Sequence, residues 1–294
     1  MKKILFLGSD SELAPPIIRY LQQHYIVYGA HLNHMPTEYD QVSFPISPES
    51  MGSMEKLCTR VNPSAIICAT QISDEIECAK NPQKALAIHA DIAQMMASVL
   101  RADQRMIYLS TSRVFSGDEG NYAEGAKPIP QSVYGQTKLR GEQMVLEKEN
   151  SFVLRLGHVF GLASGHSQTY FSQILSHLGS EKIFEAPTDL KDNFFSVDDL
   201  ALALGLLIDA HVNLAGIYHL ANNGSRLSHY DFAQSVAANF ALSTKSLRHL
   251  PAGIAPRDYS MDGQNFRTTF PSFEPTPIES TLQRWRQELI QGKQ

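Results

Sequence analysis

The chain predicts an α/β fold, a doubly wound parallel sheet with a smaller C-terminal lobe. Three observations carry this reading: short apolar runs recur through the first half, helical patterns separate them, and the alternation loosens after about residue 162. Runs that are apolar along their whole length are what strands become when helices cover both faces of a sheet. Their alternation with helices is the signature of βαβ units.

In chain order the runs are KKILFLG, IVYGAHL, SAIICAT, RMIYLST and SFVLRLGHVFG. Ligands of such sheets bind outside the carboxyl ends of the strands, so Gly8, Ala69, Thr111 and His158 are predicted to surround one crevice. Farther on, QTYFSQILSHL and LSHYDFAQSVAANFAL read as helices, and PAGIAPRDYS and FPSFEPTPIES as proline-rich connections. The predicted division is residues 1–161 as the first domain, with 192–220 returning to it, and 162–191 plus 221–294 as the second lobe.

Bulk properties narrow the function. A hydrophobic fraction of 43% over 294 residues supports an ordinary buried core. The formal net charge of −5, without a basic block, argues against nucleic acid as a partner. The apolar run in MKKILFLGSDSE is too short for a signal peptide or a membrane span, which points to a cytoplasmic protein with no membrane partner. Cys58, Cys68 and Cys78 have no paired spacing and read as neutral thiols. The histidines lack HxxxH or HExxH spacing, so no metal site is expected, and Asp198-Asp199 reads as a helix cap.

The first turn, LGSDSELAPPI, stands where a dinucleotide fold carries its glycine-rich phosphate loop, with one glycine of three retained. Gly8 supplies the tight turn, Ser11 stands where the backbone approaches a pyrophosphate, and Ala14 where the helix packs on the sheet. Ser11 is also placed to cap the helix. Gly8, Ser9, Ser11, Glu12, Leu13 and Ala14, with Ala69 and Thr70 from the end of SAIICAT, are the predicted cofactor contacts. Asp10 and Glu12 would repel a pyrophosphate unless they point away from it, and Pro15-Pro16 restricts where the helix begins. The second run ends in AHLNHM, without the acid that suits NAD or the arginine that suits NADP, so either cofactor remains open.

The constellation that names a chemistry is Thr111, Tyr134 and Lys138. Residues four apart on a helix share a face, so the Tyr134 phenol and Lys138 ammonium can enter one cleft. A free tyrosine ionises near pH ~10, and a neighbouring ammonium favours the phenolate. The Thr111 hydroxyl would hold the substrate oxygen whose proton Tyr134 gives or takes. Tyr134 and Lys138 thus join the cofactor contacts as well as the catalytic set.

On these residues the chain resembles an extended short-chain dehydrogenase/reductase with a Rossmann-like domain, and most of all the dTDP-4-dehydrorhamnose reductase branch. The stretch STSRVFSGDEGNYAEGAKPIPQSVYGQTKLRGE resembles the strand end, loop and YGxSKLxGE helix of that branch. CAKNPQKALAIH, RLGHVFG, FFSVDDLALAL and GIYHLANNGSRLSHYDFA resemble further segments, so the likeness runs over nearly the whole chain. It implies NAD or NADP as cofactor, a 4-keto nucleotide sugar as substrate, Tyr134 as proton donor, Lys138 holding the ribose, and a paired-helix homodimer.

Departures from that pattern concern the sugar. Ser112 and Arg113 replace an acid and a tyrosine, His89 stands for an asparagine and His158 for a tryptophan. Ser112-Arg113 cannot supply the acid and base that dehydration needs. Ser112, Arg113, His158 and Arg257, the last in APRDYSMD, are the predicted substrate contacts. Arg113 could hold a diphosphate or pair with Glu119 or Glu124. Two other functions stay open: an epimerase with tightly bound NAD using the same three residues, and a non-catalytic NAD(P)-binding regulatory subunit, suggested by the weakened phosphate turn.

Overall fold

A computed structural model describes residues 1–33, 42–162, 169–211, 214–221, 226–251, 253 and 255–292. Gln168 of the first C-terminal helix pattern, His34 and Met35 of AHLNHM, and parts of the ANNGS and PAGIA stretches lie outside the described residues.

The strands are β1 (Lys3–Leu7), β2 (Ile26–His31), β3 (Ser43–Pro45), β4 (Ala65–Cys68), β5 (Arg105–Thr111), β6 (Ser151–Leu156) and β7 (His158–Phe160). They continue with β8 (Phe184–Pro187), β9 (Leu190–Ser196), β10 (Gly216–Leu220), β11 (Arg226–Ser228), β12 (Leu247–Leu250) and β13 (Arg257–Asp258). The helices are α1 (Ala14–Gln22), α2 (Met51–Val61), α3 (Glu75–Lys80), α4 (Pro82–Leu86), α5 (Ile92–Val99) and α6 (Val133–Leu146). After them come α7 (Tyr170–Gly179), α8 (Val197–Asp209), α9 (His229–Asn239), α10 (Gln264–Thr269) and α11 (Ile278–Ile290).

The main sheet runs β10-β6-β5-β4-β1-β2-β3, and every pairing in it is parallel. This is the predicted α/β architecture with a Rossmann-like parallel sheet. Successive residues of β1 serve opposite faces: Ile4 and Phe6 join one buried apolar cluster, Leu5 and Leu7 another. That explains why the strand is apolar throughout. Strand order reverses between β1 and β4, which puts the switch-point crevice beside Gly8 and Ala69.

A small sheet, β11-β9-β13 with β7 also on β9, stands beyond the carboxyl end of the main one, and β12 pairs with β8. The run SFVLRLGHVFG, read as one strand, is two: β6 stays in the main sheet while β7 pairs its His158 with Phe194 of β9. The break coincides with a change in burial that the sequence does not announce: β6 is buried throughout, whereas in β7 only Phe160 is. The helix after the first turn also begins later than expected. Its capping position falls on Leu13, without a side-chain cap, and Ser11 contributes only its carbonyl, which accepts from Ala14 N at 3.1 Å. Among the described residues no helix is long and apolar enough to cross a membrane.

Candidate functional site

Gly8 follows β1 with φ +85°, a left-handed conformation that favours glycine. A β-carbon there would lie 2.8 Å from the Ala69 carbonyl, so the turn passes in contact with the end of β4. Gly8 N and Ser9 N both donate to Ala30 O, at 2.8 and 2.9 Å. The two carboxylates of the turn are handled differently. Asp10 swings to the end of β2, where Oδ2 accepts from Asn33 N at 2.9 Å and Leu32 N at 3.3 Å. Glu12 stays at the crevice wall, where burial pushes its carboxyl pKa up. The bonds to the end of β2 thus turn Asp10 aside from a pyrophosphate at the turn.

A cleft of about 860 Å³ extends from this turn across the carboxyl edge of the sheet. Asp10, Ser11, Glu12, Leu13 and Ala69 line one end; Thr111, Ser112, Arg113, Tyr134 and His158 line the other. Ser9 and Thr70 are buried behind the wall, Thr70 donating to Ile88 O at 3.0 Å. Ala14 packs in the core. Arg257 is not among the lining residues; it forms an ion pair with Asp118.

Tyr134 sits on α6, whose first turn is capped by Ser132 accepting from Gly135 N at 3.1 Å. Its hydroxyl donates a long bond of 3.4 Å to Gln71 Oε1. Burial pushes the phenol up to about 12, against the Thr111 hydroxyl and the Arg113 charge, which pull it down. Lys138 is 1% exposed; its ammonium donates to Leu109 O at 2.5 Å and lies 4.4 Å from the Tyr108 ring centroid. Burial lowers its pKa to about 8. The expectation that this ammonium depresses Tyr134 is therefore corrected for the protein alone: desolvation of the phenol dominates.

His89, on a π-helical turn spanning Ala87–Asp91, accepts from Ile72 N through Nε2 at 2.8 Å. Its Nδ1 then carries the proton and faces Thr137 Oγ1 at 2.7 Å, so the ring ties the loop after β4 to α6. Burial, with Lys138 nearby, lowers its pKa to about 3. Beneath the site Glu142 accepts from Ser110 Oγ at 2.5 Å and from Arg155 Nε and Nη2 at 2.9 and 2.7 Å.

At the far end Arg113 pairs with neither Glu119 nor Glu124. Its Nη2 donates to Asp192 Oδ2 at 2.9 Å, Nε lies 3.4 Å from Glu75, and the guanidinium stacks 3.9 Å over the Tyr259 ring. Ser112 Oγ donates to Asp192 Oδ1 at 3.2 Å. Burial raises the Asp192 carboxyl, but Arg113, with His229 and His158, outweighs it and holds the pKa at about 2. Asp192 and His229 escaped the sequence reading because no local spacing links them to His158. The three offer ligand atoms within 4.8 Å of one another. Arg113 already places a fixed positive charge on that carboxylate, so the cluster is a polar wall rather than a cation cage. His229 Nε2 stands 3.5 Å from Asp192, too long for a good hydrogen bond. That nitrogen and Arg113 Nη1 are buried without hydrogen-bond partners, the condition that a polar ligand relieves.

The chain matches the family described as the RmlD substrate binding domain over residues 1–288. It belongs to that family. Among RmlD relatives it is 27% identical over 237 residues to a probable low-salt glycan biosynthesis reductase of Haloferax volcanii, covering 78% of this chain and 77% of that protein. It is 28% identical to methionine adenosyltransferase 2 subunit beta of Xenopus laevis, over 71% of this chain and 65% of that one. The RmlD-family fold is shared with the crystal structure of dTDP-4-dehydrorhamnose reductase from Bacillus anthracis in complex with NADP, at a TM-score of 0.83, 20% identity and 98% coverage of both chains.

Proposed function

We propose that this protein is an NAD(P)-dependent reductase of a nucleotide-linked 4-keto sugar. The observation that carries the reading is one cleft with the Gly8 turn at one end and the Thr111 and Tyr134 hydroxyls at the other. The turn fits a dinucleotide, since the backbone at Gly8 leaves no room for a side chain and Asp10 is turned aside to the end of β2. A bound nicotinamide cofactor would supply the hydride.

The chain's own residues do the rest. Thr111 holds the substrate carbonyl oxygen, and Tyr134, protonated at neutral pH, donates its proton as negative charge gathers there. Lys138 remains largely cationic at neutral pH; we assign it the ribose and stabilisation of the phenolate that the proton leaves behind. Ser112, Arg113 and His158 contact the sugar and its diphosphate, with His229 added from the wall, while Arg257, outside the cleft lining and paired with Asp118, is left out of the substrate set. In this reading 1–161, with 192–220 returning, is the cofactor domain, and 162–191 with 221–294 is the substrate lobe of a cytoplasmic homodimer.

Tyr134→Phe tests the assignment. With a panel of 4-keto nucleotide sugars and both reduced cofactors, turnover should fall about 10²–10⁴-fold while cofactor affinity is retained. Undiminished turnover rules out Tyr134 as the acid. The likeness to methionine adenosyltransferase 2 subunit beta favours a second reading, a cofactor-binding subunit without turnover of its own. Cofactor binding with no reduction of any panel member is the outcome that selects it.

A further inference from the structure

The cleft ends at a corner that the sequence reading left undecided. In dinucleotide folds an acid at the end of the second strand hydrogen-bonds the adenosine ribose, whereas an arginine there receives a 2′-phosphate. The sequence ending β2 has neither, but the fold imports an acid from the preceding turn. Asp10 Oδ2 accepts from Asn33 N at 2.9 Å, from Asn33 Nδ2 at 3.2 Å and from Leu32 N at 3.3 Å, and Oδ1 accepts from Leu32 N at 3.4 Å. These bonds hold the carboxylate at the strand's carboxyl end, and Asp10 lines the cleft.

We propose that Asp10 makes this protein select NAD(H) over NADP(H), standing in from the first turn for the acid missing at the end of β2. The inference rests on the cofactor reading above and settles which cofactor it takes.

Charge around the corner agrees. From Arg19 to Lys56 the chain contains no lysine or arginine, and the imidazole at the end of β2, His31, has its Nδ1 2.8 Å from Ser43 Oγ of β3. Arg60, on α2, is 4.9 Å from the Phe44 ring centroid of β3 and does not line the cleft. From Ala69 through Ala79 the chain adds only acids, of which Asp74 and Glu75 line the cleft. A ribose diol can donate to a carboxylate; a phosphate dianion can only be repelled by it unless a cation intervenes. The hydrogen bonds that hold Asp10 also explain why an acid persists in a phosphate turn. It is directed to the sugar end of the nucleotide rather than to the pyrophosphate.

The test is a fluorescence titration of the purified full-length protein with NADH and NADPH, read as dissociation constants without any substrate. NADH should bind at least about ten-fold more tightly than NADPH, a gap that carboxylate–phosphate repulsion readily supplies. Asp10→Asn, which keeps an acceptor for Asn33 N, should narrow the gap chiefly by improving NADPH. Asn33→Arg, which leaves Asp10 intact and adds a cation at the exposed corner, should narrow it as well. Equal or tighter NADPH binding by the unaltered protein overturns the proposal, and so does an Asp10→Asn protein, shown folded by circular dichroism, whose NADH to NADPH ratio is unchanged. Binding of neither cofactor overturns the cofactor reading itself, a result distinct from a reversed preference.

Discussion

A buried carboxylate needs partners on both oxygens, and Glu142 has them: Ser110 and Arg155 Nε on one, Arg155 Nη2 on the other. Arg155 and Glu142 are each 1% exposed, so removing one charge strands the other in a low-dielectric interior. Glu142→Gln should cost roughly 3–5 kcal/mol in urea unfolding with little change in slope. A loss below about 1 kcal/mol would mean that water reaches Arg155. The residues of this site were unevenly legible. Thr111, Tyr134 and Lys138 announce themselves by helix spacing and a strand end. Asp192 and His229 do not, because they meet only after β9 and α9 fold against the end of β5. Asp10 shows the same limit: in the sequence it is an acid beside a phosphate, and only the position of Leu32 and Asn33 reveals where it points.

Helix α6 carries the proposed acid, and at Gly141 it packs directly against the Tyr108 side chain and the His89 backbone. A β-carbon at Gly141 would come within 2.3 Å of the Tyr108 hydroxyl and 2.6 Å of the His89 carbonyl oxygen. Those two atoms are themselves joined, Tyr108 donating to His89 O at 2.8 Å. Gly141→Ala should therefore break that bond or lift α6. We expect about 1–3 kcal/mol of destabilisation and a larger loss in turnover than in cofactor affinity, measured on the same preparation. Unchanged stability and turnover would show that the helix has slack. Elements differed in legibility as residues did. The strands β1, β2, β4 and β5 are apolar runs that any reader of periodicity finds. The three-residue β3 has no run to find, and β10, GIYHL, is too mixed to declare itself by hydropathy.

At the scale of the whole molecule, three histidines among the described residues are held far below their ordinary range. Burial lowers His89, His158 and His219 to about 3, assisted by Lys138, His229 and Arg155 respectively. In the unfolded chain each takes a proton near pH ~6.5, so between about pH 6.5 and 3 the unfolded state binds more protons. Stability therefore falls as the pH drops through that window, by up to about 1.4 kcal/mol per pH unit for each histidine. Urea midpoints should decline steadily from pH 7 to pH 4, and His219→Asn should flatten the decline. A midpoint independent of pH over that range would contradict the buried, neutral state of these rings.

The late return of β10 bears on where this chain could be cut. β6 lies between β5 and β10, and Ile217 and Tyr218 sit beside Val153 and Leu154 in register. A fragment stopped at residue 161 keeps β6 but loses that neighbour, along with α8, which packs against α1. It would expose an apolar strand edge with unpaired amides, the template on which chains stick to one another. The half that carries the parallel sheet is thus contiguous in space but not in the sequence. Exchanging the second lobe between relatives, by recombination or by design, requires three junctions, one after β7, one before α8 and one after β10.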